Sequence, residues 1–310
     1  MRRIVILMVE LAGGVSFLLN CYGFYAFVIK SKKKLVSIET PLLFASIAFF
    51  TVCCMLHVPL PFVHNFCIVV IASGPVTSGI AAKVVLAASY LSWHACLLIV
   101  VNSFIKNYII LCRSQYSFIY SSRKWISMVV AANIFIIISW SFKYLRPCPA
   151  IADDVGAAVL SVTGLNLTTH AYIGLCAEPK DHFDFLLNLT ITATKTSLLL
   201  ASLHWAREVK KRLNSPHLSG KTKTIQRRLN NMLIGQAFCI AVFLQPPIVV
   251  YPFLQFYHAT STTAEIISTV ALYSFFPVCS SIVIIFSLRY PNLFALKDPK
   301  QPAASQIVKF

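Results

Sequence analysis

Seven apolar runs, each bounded by charged or turn-forming residues, set what this 310-residue chain can fold into. A helix that crosses a bilayer needs about 20 apolar residues. Lipid offers no partner to a free backbone N–H or C=O, so a spanning run must satisfy its own, and helices do this. The runs lie at about 4–29, 41–60, 84–105, 125–144, 185–205, 232–254 and 266–288. They predict an all-α membrane protein: one seven-transmembrane helix bundle over 1–310, with a short cytoplasmic tail from 291 to 310. Only 12% of the residues are charged, against roughly 25% in soluble chains, and the length leaves no room for a large soluble domain. The stretch Phe66 to Ala72 is also apolar but is broken by Ser73-Gly74-Pro75, so a short or re-entrant eighth segment is a further reading there.

The cations orient the bundle, because cytoplasmic loops carry the excess of Lys and Arg. Twenty of the 27 fall in alternate connections: Lys30 to Lys34, Lys106 to Lys124, Arg207 to Arg228, and Arg289 onward. Acids cluster instead in the connection between the fourth and fifth runs, at Asp153, Asp154, Glu178, Asp181 and Asp184. The N-terminus is therefore expected outside and the C-terminus in the cytoplasm. The net charge of +17 on so apolar a chain points to an anionic lipid surface and not to nucleic acid. Asn166-Leu167-Thr168 is a glycosylation acceptor in the acidic outer connection. Cys67, Cys148 and Cys176 lie near outer loops, where a disulfide between some pair of them is expected, three free thiols being the alternative.

Enzyme chemistry finds no footing. There is no His-Glu-x-x-His, no phosphate-cradling glycine loop and no zinc spacing among the ten cysteines. His57, His94 and His204 sit singly on different runs. No catalytic residue, metal or cofactor is expected. A small-molecule transporter or ligand-gated channel is the alternative to a receptor, but its usual sign, interrupted helices at matching positions of two halves, is missing. Lys83 and Lys195 are read as snorkelling to an interface.

Three groups of residues stand out. Ser89, Tyr90, Trp93 and His94 on the third run, Gln245 and Tyr251 on the sixth, and Tyr273 on the seventh put polar groups on apolar surfaces, as a small-molecule pocket does. Helix-to-helix hydrogen bonding is the plainer account of each taken singly. Pro246 and Pro247 interrupt the sixth run and Pro277 the seventh; they remove backbone donors and bend the helix, which gives an element with two available arrangements. The basic segment that holds Arg207, Lys210, Lys211, Arg212, Arg227 and Arg228 joins the fifth and sixth runs on the cytoplasmic side.

The chain resembles the nematode serpentine chemoreceptors, a seven-transmembrane G-protein-coupled receptor-like family, and in particular their class d and class h branches. The resemblance rests on Asn20 followed by the Lys-rich turn, Ser73-Gly74-Pro75, Phe104-Ile105-Lys106-Asn107-Tyr108, Leu233-Ile234-Gly235-Gln236 through Pro246, and Pro277 through Phe286 to Arg289-Tyr290. It implies a chemosensory receptor of the plasma membrane, of a sensory cilium in some cells, that takes an external small molecule within the bundle. Gln236 would belong to the switching helix. Lys106 and Tyr108 would face a heterotrimeric G protein together with the basic segment. Lys106-Asn107-Tyr108 stands where such receptors carry arginine followed by tyrosine, and lysine lacks the planar fork of the guanidinium. Phe276-Pro277 stands where rhodopsin-like receptors carry Asn-Pro. The resemblance fixes no oligomeric state.

Overall fold

The computed structural model describes residues 2–29, 39–145, 155–176, 182–214 and 219–289. Among them are seven helical spans long and apolar enough to cross a membrane. The first is α1 (Arg2–Gly23), continued by a π-helical turn over Phe24–Ile29; α2 (Glu39–His57), α3 (Gly79–Cys112) and α4 (Arg123–Leu145) follow. After the short α5 (Gly156–Thr163), α6 (His182–Leu213) is the fifth span. The sixth is composite: α7 (Gly220–Cys239), a π-helical segment (Ile240–Leu244) and α8 (Gln245–Phe256); α9 (Thr263–Arg289) closes the bundle.

Burial ranks the helices. Of the most apolar window of α3, 56% is buried, against 11% for α4, so α3 is the central post and α4 a rim helix. Their packing agrees: α3 meets α2, α4, α6 and α7. The main core draws Phe44 and Ile47 from α2, Leu97 and Phe104 from α3, Met232 and Leu233 from α7 and Phe276 from α9. Polar threads cross it: Asn20 donates to Ser281 Oγ at 2.8 Å and to Ser16 O at 2.8 Å, and Ser16 shares a hydrogen bond with Thr51, tying α1 to α2 and α9.

One end of the bundle differs from the pattern of apolar runs. The second helix stops at His57 and does not reach 60, because Val58 takes a left-handed φ of 43° and Pro59 and Pro61 enter strand β1 (Pro59–His64). The strand order is β1-β2-β3, so those prolines lie on an edge strand, where a missing N–H is tolerated. The apolar stretch read as a short or re-entrant segment is β2 (Cys67–Ala72), paired antiparallel with β1 across a turn at Asn65, whose φ is 49°. Strand β3 (Tyr172–Cys176) completes the sheet and brings Cys176 opposite Cys67, with which it forms a disulfide. Cys148 lies outside the described residues. At the other end α6 runs to Leu213 and α7 begins at Gly220, well past the expected 205 and 232.

Candidate functional site

Just inside the sheet end, α3 turns one face of aromatic and polar side chains towards its neighbours. Tyr90 and His94 are one helical turn apart and buried, with ring centroids 4.7 Å apart, and Trp93 lies beside both. From α9, Tyr273 reaches Trp93 at 5.7 Å; from α4, Tyr144 lies 4.9 Å from Tyr90 and Trp140 lies 5.7 Å from His94. Tyr144 donates to Asn188 Oδ1 of α6, and Gln245 donates to Thr196 Oγ1 of the same helix at 2.8 Å. The rings prefer tilted and edge-on arrangements, which orders such a cluster more sharply than area burial alone.

The sequence reading misplaced one group that matters here. Lys195 does not snorkel: it is 5% exposed, and its ammonium lies 5.4 Å from the ring centroids of both Trp93 and Trp140. Each indole face attracts a cation. A void of about 10 Å³, room for a single water, sits against Trp93, His94, Leu97, Lys195, Ile240, Leu244 and Gln245. His94 Nε2 and Gln245 Oε1 are buried there without hydrogen-bond partners. Lys83, by contrast, is exposed at the start of α3, beside a cavity of about 610 Å³ that is also lined by Tyr144 and Ile173.

The kink residues are adjacent to this cluster. In the π segment the N–H of Gln245 bonds Ile240 O, five residues back, and Pro246 and Pro247 follow in the first turn of α8, where an N–H is dispensable. One turn earlier, Gln236 faces α9: its Nε2 donates to Ser280 O at 2.8 Å, and Ser280 Oγ donates to its Oε1. Gly235 allows this approach, because a Cβ there would collide with Val283. Pro277 lies buried within α9, its carbonyl taken by Ser281 Oγ at 2.7 Å.

A sequence model of the serpentine type 7TM GPCR chemoreceptor Str family matches residues 7–290. The chain belongs to that family. The matched branch is Str rather than the class d or class h branch that the motifs suggest, within the same serpentine chemoreceptor family. No curated protein matches the chain.

In this Str chemoreceptor three of the residues singled out as pocket-lining, Trp93, His94 and Gln245, share the void with Lys195, and two more, Tyr90 and Tyr273, pack against Trp93. Tyr251 is buried at the roof of the cluster, against Val63 and Ile68 of the sheet, with Tyr144 packed on it. Ser89 is directed elsewhere: its Oγ lies 3.2 Å from His57 Nε2 and donates to Leu86 O, so it serves the α2–α3 contact. The sequence pattern does not single out Trp140 or Tyr144, and it places Lys195 at an interface. A lone lysine near the centre of the fifth run was the available signal, since a side chain there is too deep to reach either interface.

At the opposite end of the receptor, Arg207, Lys210, Lys211 and Arg212 on α6 and Arg227 on α7 are exposed, and Arg228 is half-buried. Lys211 pairs with Glu208 at 2.7 Å, an exposed contact that solvent screens. Tyr108 accepts a hydrogen bond from Arg113 at 3.4 Å, and Lys106 stands half-buried beside it on α3. Asn166 is exposed near the sheet, and its Oδ1 accepts from Thr168 N at 2.9 Å. Among the described residues no three His, Cys, Asp or Glu side chains gather as a metal site would require.

Proposed function

We propose that this Str chemoreceptor is a G-protein-coupled sensor of the plasma membrane, with its sheet end outside and its basic end in the cytosol. An external small molecule binds among Tyr90, Trp93, His94, Gln245, Tyr251 and Tyr273. The single observation behind this reading is that buried polar and aromatic groups of α3, α4, α6 and α9 converge on the π segment of the sixth span in a member of this family. A ligand can shift the bundle between two packings only by as much as its affinities for them differ, and a site walled by the most irregular stretch of the sixth helix is where such a difference would arise.

The orientation is supported by the cation count and by the disulfide and exposed acceptor Asn166, all of the outer kind, at the sheet end. Lys106, Tyr108, Arg207, Lys210, Lys211, Arg212, Arg227 and Arg228 then form the G-protein-facing surface. The test is a small-molecule screen in cells expressing the full chain with a nucleotide-exchange readout, alongside Lys106→Ala. An active compound should drive exchange in the wild type, and the variant should bind it without responding. Ligand-evoked current in cells lacking G proteins would overturn the reading.

A further inference from the structure

Lys195 stands in the middle of α6, and among the described residues no carboxylate is recorded against its ammonium. Of the described acids, Glu10 is exposed on α1, Glu208 pairs with Lys211 at the basic end, and Glu265 accepts the Thr262 N–H at the start of α9. Glu39 opens α2. On α6 itself, Asp184 is eleven residues before Lys195, about 16 Å along the axis, and Glu208 is thirteen after it, about 20 Å. The remaining acids, Asp153, Asp154, Glu178, Asp181 and Asp298, lie outside the described residues. A buried ionic group in a bundle is expected to be paired, and where it is not, it marks a functional position. Two indole faces favour the ammonium over a neutral amine but leave its three N–H donors without an anion.

The groups around it are also incomplete. His94 Nε2 and Gln245 Oε1 are buried and unpartnered, and both line the same void as Lys195. That void, at about 10 Å³, is too small for an organic molecule. Its apolar side, however, is Ile240 and Leu244, the first and last residues of the π segment. A π turn holds one residue more than an α turn and reverts by a shift of register, which moves such a wall without breaking the helix.

We propose that Lys195, His94 and Gln245 form the seat for the carboxylate of a small organic anion, which supplies the missing counter-ion and takes its room from the π-segment wall. The carboxylate accepts from Lys195 Nζ, His94 Nε2 and Gln245 Oε1 each accept one of the remaining ammonium N–H groups and so aim it, and Leu97, Ile240 and Leu244 cover the hydrocarbon part. This deepens the receptor reading and rests on it for the external origin of the anion.

The test uses the full-length receptor in lipid nanodiscs, titrated with sodium propanoate, butanoate and benzoate, each beside its methyl ester, with sodium chloride as the ionic control; the readout is the ligand-induced shift in apparent Tm. The carboxylates should raise Tm saturably, and the esters and chloride should not. Lys195→Met keeps the length and removes the charge, and Gln245→Glu places a carboxylate in the void in cis; each should weaken carboxylate binding by at least about tenfold. Two independent variants keep the test decisive if either one folds poorly. Equal shifts by acid and ester, an equal shift by chloride, no shift by any carboxylate, or undiminished binding to both variants overturns the proposal. Nucleotide exchange measured on the same samples separates the two readings. Lys195-dependent binding that drives no exchange leaves the seat intact and sinks the receptor reading; exchange driven by neutral compounds alone does the reverse.

Discussion

Replacing Gln236 by leucine removes two hydrogen bonds and leaves almost no cavity, because the side chains are close in volume. Gln236 is 1% exposed, and both bonds go to Ser280, one to its backbone oxygen and one from its hydroxyl. Between membrane helices such bonds average about 0.6 kcal/mol and reach about 1.7, so the pair holds α7 to α9 with about 1–3 kcal/mol. At about 2–4 °C per kcal/mol the apparent Tm of the purified receptor should fall by roughly 2–12 °C. The same energy acts on the balance between packings: if the clamp belongs to the resting state, its loss shifts that balance by about 5–150-fold and basal nucleotide exchange rises. Ser280→Ala removes only the hydroxyl bond, and the Gln236→Leu, Ser280→Ala pair completes a double-mutant cycle. Strict additivity of the two losses would refute the clamp, and a lower Tm with unchanged basal exchange would refute its part in switching.

Three further outcomes follow from the same geometry. Cys67→Ser opens a loop closed over 109 residues, a constraint on the unfolded chain worth about 4–5 kcal/mol, so surface abundance and apparent Tm should drop, and Cys176→Ser and the double variant should match it. Gly23→Ala would drive a methyl into the ring of Phe44, which is 1% exposed, and should cost about 1–3 kcal/mol in thermal unfolding; Gly14→Ala meets nothing and should not lower the Tm. Changing Lys210, Lys211 and Arg212 together to glutamate should weaken G-protein coupling while leaving surface expression, measured by antibody labelling, as it was.

What the amino-acid pattern reveals follows the range over which each force acts. Seven spans are legible because lipid demands some 20 apolar residues in a row, a local property. Helix ends at the basic side are not, because α6 and α7 continue into water on charged residues that carry no hydropathy signal: Glu208 to Leu213 and Gly220 to Asn231 are helical all the same. The hairpin is hidden for a different reason. Cys67 to Ala72 is apolar on both faces, as a strand buried on both sides must be, and its partner β3 lies about a hundred residues on. The pairing of Cys67 with Cys176 is invisible until that register exists. At the pocket, helical spacing suffices to put Tyr90, Trp93 and His94 on one face, but the depth of Lys195 depends on Trp140, which a different helix supplies.

The sixth span connects these features through a short stretch of chain. Ile240, which walls the void, is one turn from Gln236, which clamps α7 to Ser280; the next residue, Ser281, accepts from Asn20 of α1. On the proposed reading, an anion seated at Lys195 cannot be accommodated without moving the wall, and Pro246 and Pro247 leave the helix beyond it unable to absorb the movement as an ordinary α turn. The displacement must then pass into α7. There it meets a contact with two discrete solutions, because Gly235 lies too close to Val283 for gradual sliding and the Gln236 amide is either registered on Ser280 or not. Since α7 also carries Arg227 and Arg228, two turns before Gln236, a loss of that registration moves basic residues at the far end of the bundle, and this makes the clamp, rather than the proline pair, the step whose energy sets how strongly a ligand must bind.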